Sequence, residues 1–183
     1  MNHLFDEQLD GAPARRDPAE VLADLRQALP GMTLLHREED LRPFECDGLS
    51  AYRALPMLVA LPETLEQVEI LLKRCRALGV PVVTRGAGTG LSGGAMPLSH
   101  GVLLVLSRFN RILEIDPDAR TARVQPGVRN LAISEAAAPY GLYYAPDPSS
   151  QIACSIGGNV AENAGGVHCL KYGLTVHNVI RVE

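Results

Sequence analysis

The chain has 183 residues, 46% hydrophobic and 21% charged, the balance of a globular chain able to bury a core. Its net charge of −4, with no basic run longer than Arg15-Arg16, argues against a nucleic-acid partner, which demands clustered Lys and Arg. No apolar stretch approaches a membrane span and residues 1–20 lack a signal peptide's apolar core; with Cys46, Cys75, Cys154 and Cys169 widely spaced, free thiols in the cytoplasm are expected.

In chain order, Asp6, Glu7 and Asp10 read as a solvated helix face. Asp17-Pro18-Ala19-Glu20 combines an N-cap, a proline at the first helical position and a capping-box glutamate. Val21, Leu22, Leu25, Ala28 and Leu29 follow on one face, which predicts a helix. A second helix is predicted from Thr64, with Gln67 three residues on, to the stop at Gly79; its expected buried stripe is Leu65, Val68, Leu71, Leu72, Cys75 and Leu78. Residues 80–84 are β-branched apart from Pro81 and read as a buried strand. Further strands are expected at 102–106, 111–115 and 121–124, the last two joined by the Asp116-Pro117-Asp118 turn, and a helix at 130–138 before Pro139. Residues 143 onward are irregular. Residues 179–183 look like the start of another strand, which predicts a truncated chain. Alternating β and α patterns give an α/β or α+β class with mixed strand pairing.

Arg85-Gly86-Ala87-Gly88-Thr89-Gly90-Leu91-Ser92-Gly93-Gly94 enters directly from the 80–84 strand and carries five glycines in ten residues. Glycine admits positive φ and leaves no Cβ in the way, so successive N–H groups can face one anion. Arg85 adds charge, and Thr89 and Ser92 add hydroxyls; a pyrophosphate suits such a cradle. Gly88 to Gly93 matches a GxGxxG pattern, but Ala95-Met96-Pro97 cannot open the helix a dinucleotide-binding fingerprint requires. No Gly-Lys-Ser/Thr follows, so the stretch is not a P-loop either.

A second cluster runs from Pro146-Asp147-Pro148-Ser149-Ser150 through Cys154-Ser155-Ile156-Gly157-Gly158-Asn159 to Asn163-Ala164-Gly165-Gly166. Small residues at this density suit backbone pressed on a flat ligand, with Asn159 and Asn163 offering amides. Two such clusters fit one long ligand. Tyr143 and Tyr144 suit either ring stacking or ordinary packing. His168-Cys169 and His177 match no usual zinc spacing, and no metal is expected.

These motifs, in this order and spacing, resemble the vanillyl-alcohol-oxidase-type flavoproteins, and among them the FAD-binding subunits of glycolate oxidases and the FAD-linked D-lactate dehydrogenases. The likeness runs from about Phe44 to the end and includes Pro126-Gly127 and Ala161-Glu162-Asn163-Ala164-Gly165-Gly166. It implies an α+β, PCMH-type FAD-binding domain of mixed α/β subdomains over residues 44–183, incomplete and without its substrate or cap domain, after a helical lead-in at 1–43. It implies FAD held by Arg85, Gly86, Ala87, Gly88, Thr89, Gly90 and Ser92 at the pyrophosphate. Pro146, Asp147 and Ser150 would lie near the flavin half, with Cys154, Gly157, Gly158, Asn159, Asn163 and Gly165 along the remainder. Thr89 stands where some relatives carry a flavin-linked histidine, so the FAD is expected to be non-covalent. The implied reaction is oxidation of a small 2-hydroxy acid, glycolate or D-lactate, to the 2-oxo acid by hydride transfer to flavin. The base and the carboxylate clamp would come from the absent cap, so no catalytic residue is assigned and the fragment alone is expected to be inactive. Iron–sulfur and FAD partner subunits, with membrane association through them, are also implied. A non-catalytic FAD-binding subunit of an electron-transfer assembly is the alternative.

Overall fold

The computed structural model describes residues 15–183; Asp6, Glu7 and Asp10 lie outside them. The described residues form two compact units, one of those up to residue 83 with 92–104, the other of residues 84–91 with 105–183.

In the first unit, helix α1 (Pro18–Ala28) begins where the sequence predicts, the Asp17 carboxylate accepting from Ala19 N at 2.9 Å. Strand β1 (Thr33–Leu35), the short helix α2 (Glu38–Leu41) and a 3₁₀ turn (Arg42–Phe44) lead to strand β2 (Leu58–Leu61). Helix α3 (Leu65–Leu78) is capped by Thr64, whose hydroxyl accepts from Gln67 N, and stops at Gly79 in the left-handed region, φ 67°. Strands β3 (Val82–Arg85) and β4 (Val102–Val105) complete a sheet of order β1-β2-β4-β3. β1 and β2 are antiparallel, with Thr33 opposite Leu61; β2 and β4 are parallel, with Leu58 opposite Val102. Mixed pairing is therefore present, as expected. Leu58, Val59, Ala60 and β4 are all but sealed from solvent.

α1 packs on α3 through Val21, Leu25, Leu71 and Cys75, each no more than 1% exposed. Arg74 also pairs with Asp24, its Nε donating at 2.9 Å. Burying one leucine is worth about 1.5–3 kcal/mol, whereas an ion pair with a half-exposed arginine is worth at most about 1 kcal/mol. Apolar contact therefore holds the helix pair.

Four expectations need correction. Residues 156–162 and 169–172 are helical although the sequence from 143 onward reads as irregular, the first of these helices having its opening N–H groups taken by Val128 O and Pro126 O. Leu65 is 67% and Leu72 44% exposed, because α1 covers only the Leu71–Cys75 strip of α3 and their side chains point away from it. β3 is half-buried because it is an edge strand, where one side of the ladder has no neighbour. Residues 179–183 form no strand within the described chain.

In the second unit, strands β5 (Ile112–Asp116) and β6 (Thr121–Val124) make an antiparallel hairpin, and the Asp116 carboxylate accepts from Ala119 N in the turn. Helix α4 (Asn130–Ala137) runs into a 3₁₀ turn (Ala138–Tyr140) that ends at Gly141. Helices α5 (Ile156–Glu162) and α6 (Cys169–Tyr172) and a last 3₁₀ turn (Thr175–Asn178) follow. Val128, Ile133 and Ile156 form the core here, with Ile112, Val124, Ala132 and Tyr144 against it. Among the described residues no helix is long and apolar enough to cross a membrane.

Candidate functional site

The first glycine cluster leaves β3 as a bend without helix, and no helix opens until Asn130, so the dinucleotide fingerprint lacks its structural context. Gly88 adopts φ +70°, and a Cβ there would run into the Arg85 guanidinium. The arginine, 9% exposed, is thus folded back beneath the loop it precedes. At Gly86 an added Cβ would collide with the Ser155 hydroxyl. Gly90 meets nothing within 4 Å and stays open, Thr89 is half-buried, and Ser92 is exposed and belongs to the first unit.

The second cluster is tied to the start of α4. Asn130 N donates to Cys154 O at 3.0 Å, Leu131 N to Gln151 O at 3.0 Å, and Asn130 Nδ2 to Pro146 O at 3.0 Å. The Ser150 carbonyl accepts from both Ala153 N and Cys154 N at 2.8 Å. These bonds fix a tight turn that presents Ala153 and Ser155. Ser155 then pairs across with Arg129, and Ile156 N and Gly157 N donate to Val128 O and Pro126 O.

A cleft of about 420 Å³ results, lined by Gly86, Ala87, Ser107, Asn110, Arg129 and Ser155 among others. It brings Gly86 and Ala87 of the first cluster to the Cys154–Gly158 part of the second. The Ser155 hydroxyl is buried here without a hydrogen-bond partner. A buried polar group left unsatisfied costs about 1–3 kcal/mol, so this atom points to a polar guest. Arg129 is the charged side chain of the lining; its guanidinium donates to Ile152 O at 3.2 Å and pairs with Glu135 at 3.5 Å. The cleft therefore suits a phosphate-bearing ligand: glycine backbone at close range, hydroxyl and amide donors, and one guanidinium.

The other expected residues serve the second cluster's own packing. Gly157 gives its N–H to Pro126 O, and a Cβ on it would sit 2.7 Å from the Pro126 ring. Asn163, left-handed at φ 51°, uses its side-chain oxygen to accept from Val176 N, and Gly165 leaves room for Leu174. Gly166 is pressed onto Asp147, whose carboxylate meets His168 Nδ1 at 2.6 Å and His168 N at 3.3 Å. That hydrogen bond from His168 holds the Asp147 carboxyl below the usual carboxylate range. Cys154 is buried, and all four cysteines are free. Sequence reasoning did not single out Ser107, Asn110 or Arg129, nor Ser155 as a contact; only the identity of Ser155 as a small polar residue beside two glycines carried a signal.

A family described as "FAD binding domain" matches residues 56–183. The glycolate oxidase subunit GlcD of Escherichia coli (strain K12) is 67% identical over the whole chain, which spans 37% of that protein's length. A D-lactate dehydrogenase of Anaerostipes hadrus is 34% identical over 85% of the chain, which covers 33% of its length. In fold, the chain superposes on p-cresol methylhydroxylase with a TM-score of 0.69 at 23% identity, over 80% of this chain and 29% of that one. The α+β, PCMH-type fold follows from that likeness. The chain belongs to the family of FAD-binding domains, and FAD is its cofactor.

Proposed function

We propose that this chain is the FAD-binding portion of a flavin-dependent oxidoreductase that converts a small 2-hydroxy acid, glycolate or D-lactate, to the 2-oxo acid. The observation that carries the reading is the cleft where the unpartnered Ser155 hydroxyl meets Gly86. The names of the E. coli and A. hadrus relatives, a glycolate oxidase subunit and a D-lactate dehydrogenase, supply the substrate class.

In this reading Gly86, Ala87, Gly88, Thr89 and Gly90 offer backbone and hydroxyl donors to the pyrophosphate, joined by Ser155 and Arg129. Arg85 packs against the loop at Gly88. Pro146, Asp147 and Ser150, fixed by Asn130 and His168, form the rigid turn toward the flavin half. Cys154, Gly157, Gly158, Asn159, Asn163 and Gly165 shape the segment behind it. When bound, FAD supplies the hydride acceptor; the protein's part is to position and tune it. The flavin is held without a covalent bond, since Thr89 has no nucleophilic ring nitrogen. The relative's designation as a subunit supports assembly with further subunits, for which an iron–sulfur electron acceptor is proposed.

The test is the visible spectrum of protein purified from a FAD-replete host, before and after acid precipitation. A flavin spectrum that moves to the supernatant is the expected result, followed by bleaching with glycolate or D-lactate in the full-length subunit. Protein that stays colourless and does not quench the fluorescence of added FAD would overturn the reading.

A further inference from the structure

Large aliphatic side chains left open to solvent gather in one stretch of the second unit. Val167 is 85% exposed, Leu170 fully, Val176 61%, Ile180 84% and Val182 71%. Leu65, Leu91 and Ile152 are as open, but each stands alone in the sequence. Single exposed aliphatics are ordinary on any surface, whereas a run of them within one short segment marks a surface that meets another.

The segment is tied down by its own hydrogen bonds. Thr175 gives both its N–H, at 3.0 Å, and its hydroxyl, at 2.6 Å, to Ala164 O. Val176 N donates to the Asn163 side-chain oxygen at 3.0 Å, and Asn178 Nδ2 reaches Tyr172 O and Leu174 O, both at 3.0 Å. Polarity is inverted across this fold: Thr175 is sealed from solvent while Val176 beside it faces out. A fixed backbone that turns its polar groups inward and its aliphatic side chains outward has the form of an interface.

We propose that the face formed by Val167, Leu170, Val176, Ile180 and Val182 is where the remainder of the full-length subunit docks. This rests on the proposed function, in which the chain is the FAD-binding portion of a longer protein. The chain spans 37% of the E. coli glycolate oxidase subunit and 33% of the A. hadrus D-lactate dehydrogenase, so most of each relative lies outside it. Polypeptide joined to this chain meets the face at an effective concentration on the order of millimolar, which favours it over a second copy or a separate protein. Among the described residues the first unit has no comparable run of open aliphatic side chains, so the docking contact falls on the second.

Hydroxyl-radical labelling of the full-length subunit, read by mass spectrometry, tests this. Each side chain is compared with itself in the urea-unfolded protein. Leu170 and Ile180 are expected to label about tenfold more slowly in the folded subunit, as side chains in the core of an interface do, and dilution should not change the ratio. Labelling of Leu170 and Ile180 at the unfolded rate would overturn the proposal. Protection that fades on dilution would assign the face to a second copy and overturn it as well. Leu170→Asp should raise labelling of Val167 and Val176 several-fold while Leu25 and Leu103, buried within this chain, stay protected; Leu170→Ala takes its place if they do not. Unchanged labelling of Val167 and Val176 in the folded variant would also count against the docking face. Flavin content of the same samples keeps the readings apart: a subunit that binds no FAD yet protects Leu170 would strike the proposed function and leave the face standing.

Discussion

Gly88 shows how one residue joins the backbone to the chemistry. Its φ of +70° lies in the left-handed region, and the space where a Cβ would stand holds the Arg85 guanidinium. A β-branched side chain at such a φ costs at least about 1–2 kcal/mol before any collision. Gly88→Val must therefore displace Arg85 and reshape the loop whose N–H groups are proposed to face the pyrophosphate. The expected outcome is FAD affinity lowered by tenfold or more with the far-UV circular dichroism unchanged, because the loop belongs to no strand or helix. Unchanged flavin content in that variant would remove the loop from the cofactor site. Gly86 tells the same story from the other side: its bare Cα lets Ser155 approach, and Ser155, without a partner of its own, waits for one.

At the scale of elements, the α1–α3 pair gives a prediction through Cys75. The thiol lies 1% exposed in the helix interface, and burial pushes its pKa up to about 11, with the Asp24 charge adding to the effect. In the unfolded chain a cysteine ionises near pH 8.5. Between these two values the unfolded state binds fewer protons than the folded one, so stability falls as pH rises through that window. The loss is on the order of 2–3 kcal/mol by pH 11, at about 1.4 kcal/mol per unit. Melting temperatures of the parent and Cys75→Ala should therefore converge as pH rises from 8 to 11, and parallel curves would refute the assignment. Caps made these helices legible in advance: Asp17 before Pro18, and Thr64 with Gly79 at either end of α3, are local signals that tertiary packing left in place. β1 and β2 escaped notice because three or four residues are too few to show a period. α5 escaped for another reason. Two glycines in Ile-Gly-Gly-Asn-Val-Ala-Glu argue against a helix, yet Ile156 is buried and the Val128 and Pro126 carbonyls take the N–H groups of its first turn. The glycine clusters were legible as a cradle because glycine is required there by contact. Ser107, Asn110 and Arg129 were not, since they reach the cleft only through the fold of the β5–β6 hairpin and the start of α4.

Across the whole molecule, two clefts of similar size compete for the role of cofactor site, and volume does not separate them. One, of about 480 Å³ in the first unit, is lined by Arg15, Arg16, Asp17, Glu20 and the Arg76–Gly79 end of α3; the other is the cleft of about 420 Å³ at Gly86 and Ser155. Chemistry separates them. The first sets three arginines, Arg15, Arg16 and Arg76, beside two carboxylates and the carbonyl end of a helix, which repel phosphate, and Arg16 donates to Leu78 O. The second has no carboxylate in its lining, one arginine that pairs with Glu135 and donates to Ile152 O, and, what the first lacks, the buried hydroxyl of Ser155 without a partner. FAD bound at a hundred times its dissociation constant stabilises the state that binds it by about 2.7 kcal/mol, and the amides it covers gain protection beyond that shared increment. Hydrogen exchange with and without FAD should therefore slow most at Gly86–Gly90 and Ser155–Gly158. Residues 76–79 and the Asp116–Ala119 turn should gain no more than the global share. Strongest protection at the end of α3 would move the cofactor to the arginine-lined cleft and with it the whole assignment of the glycine clusters.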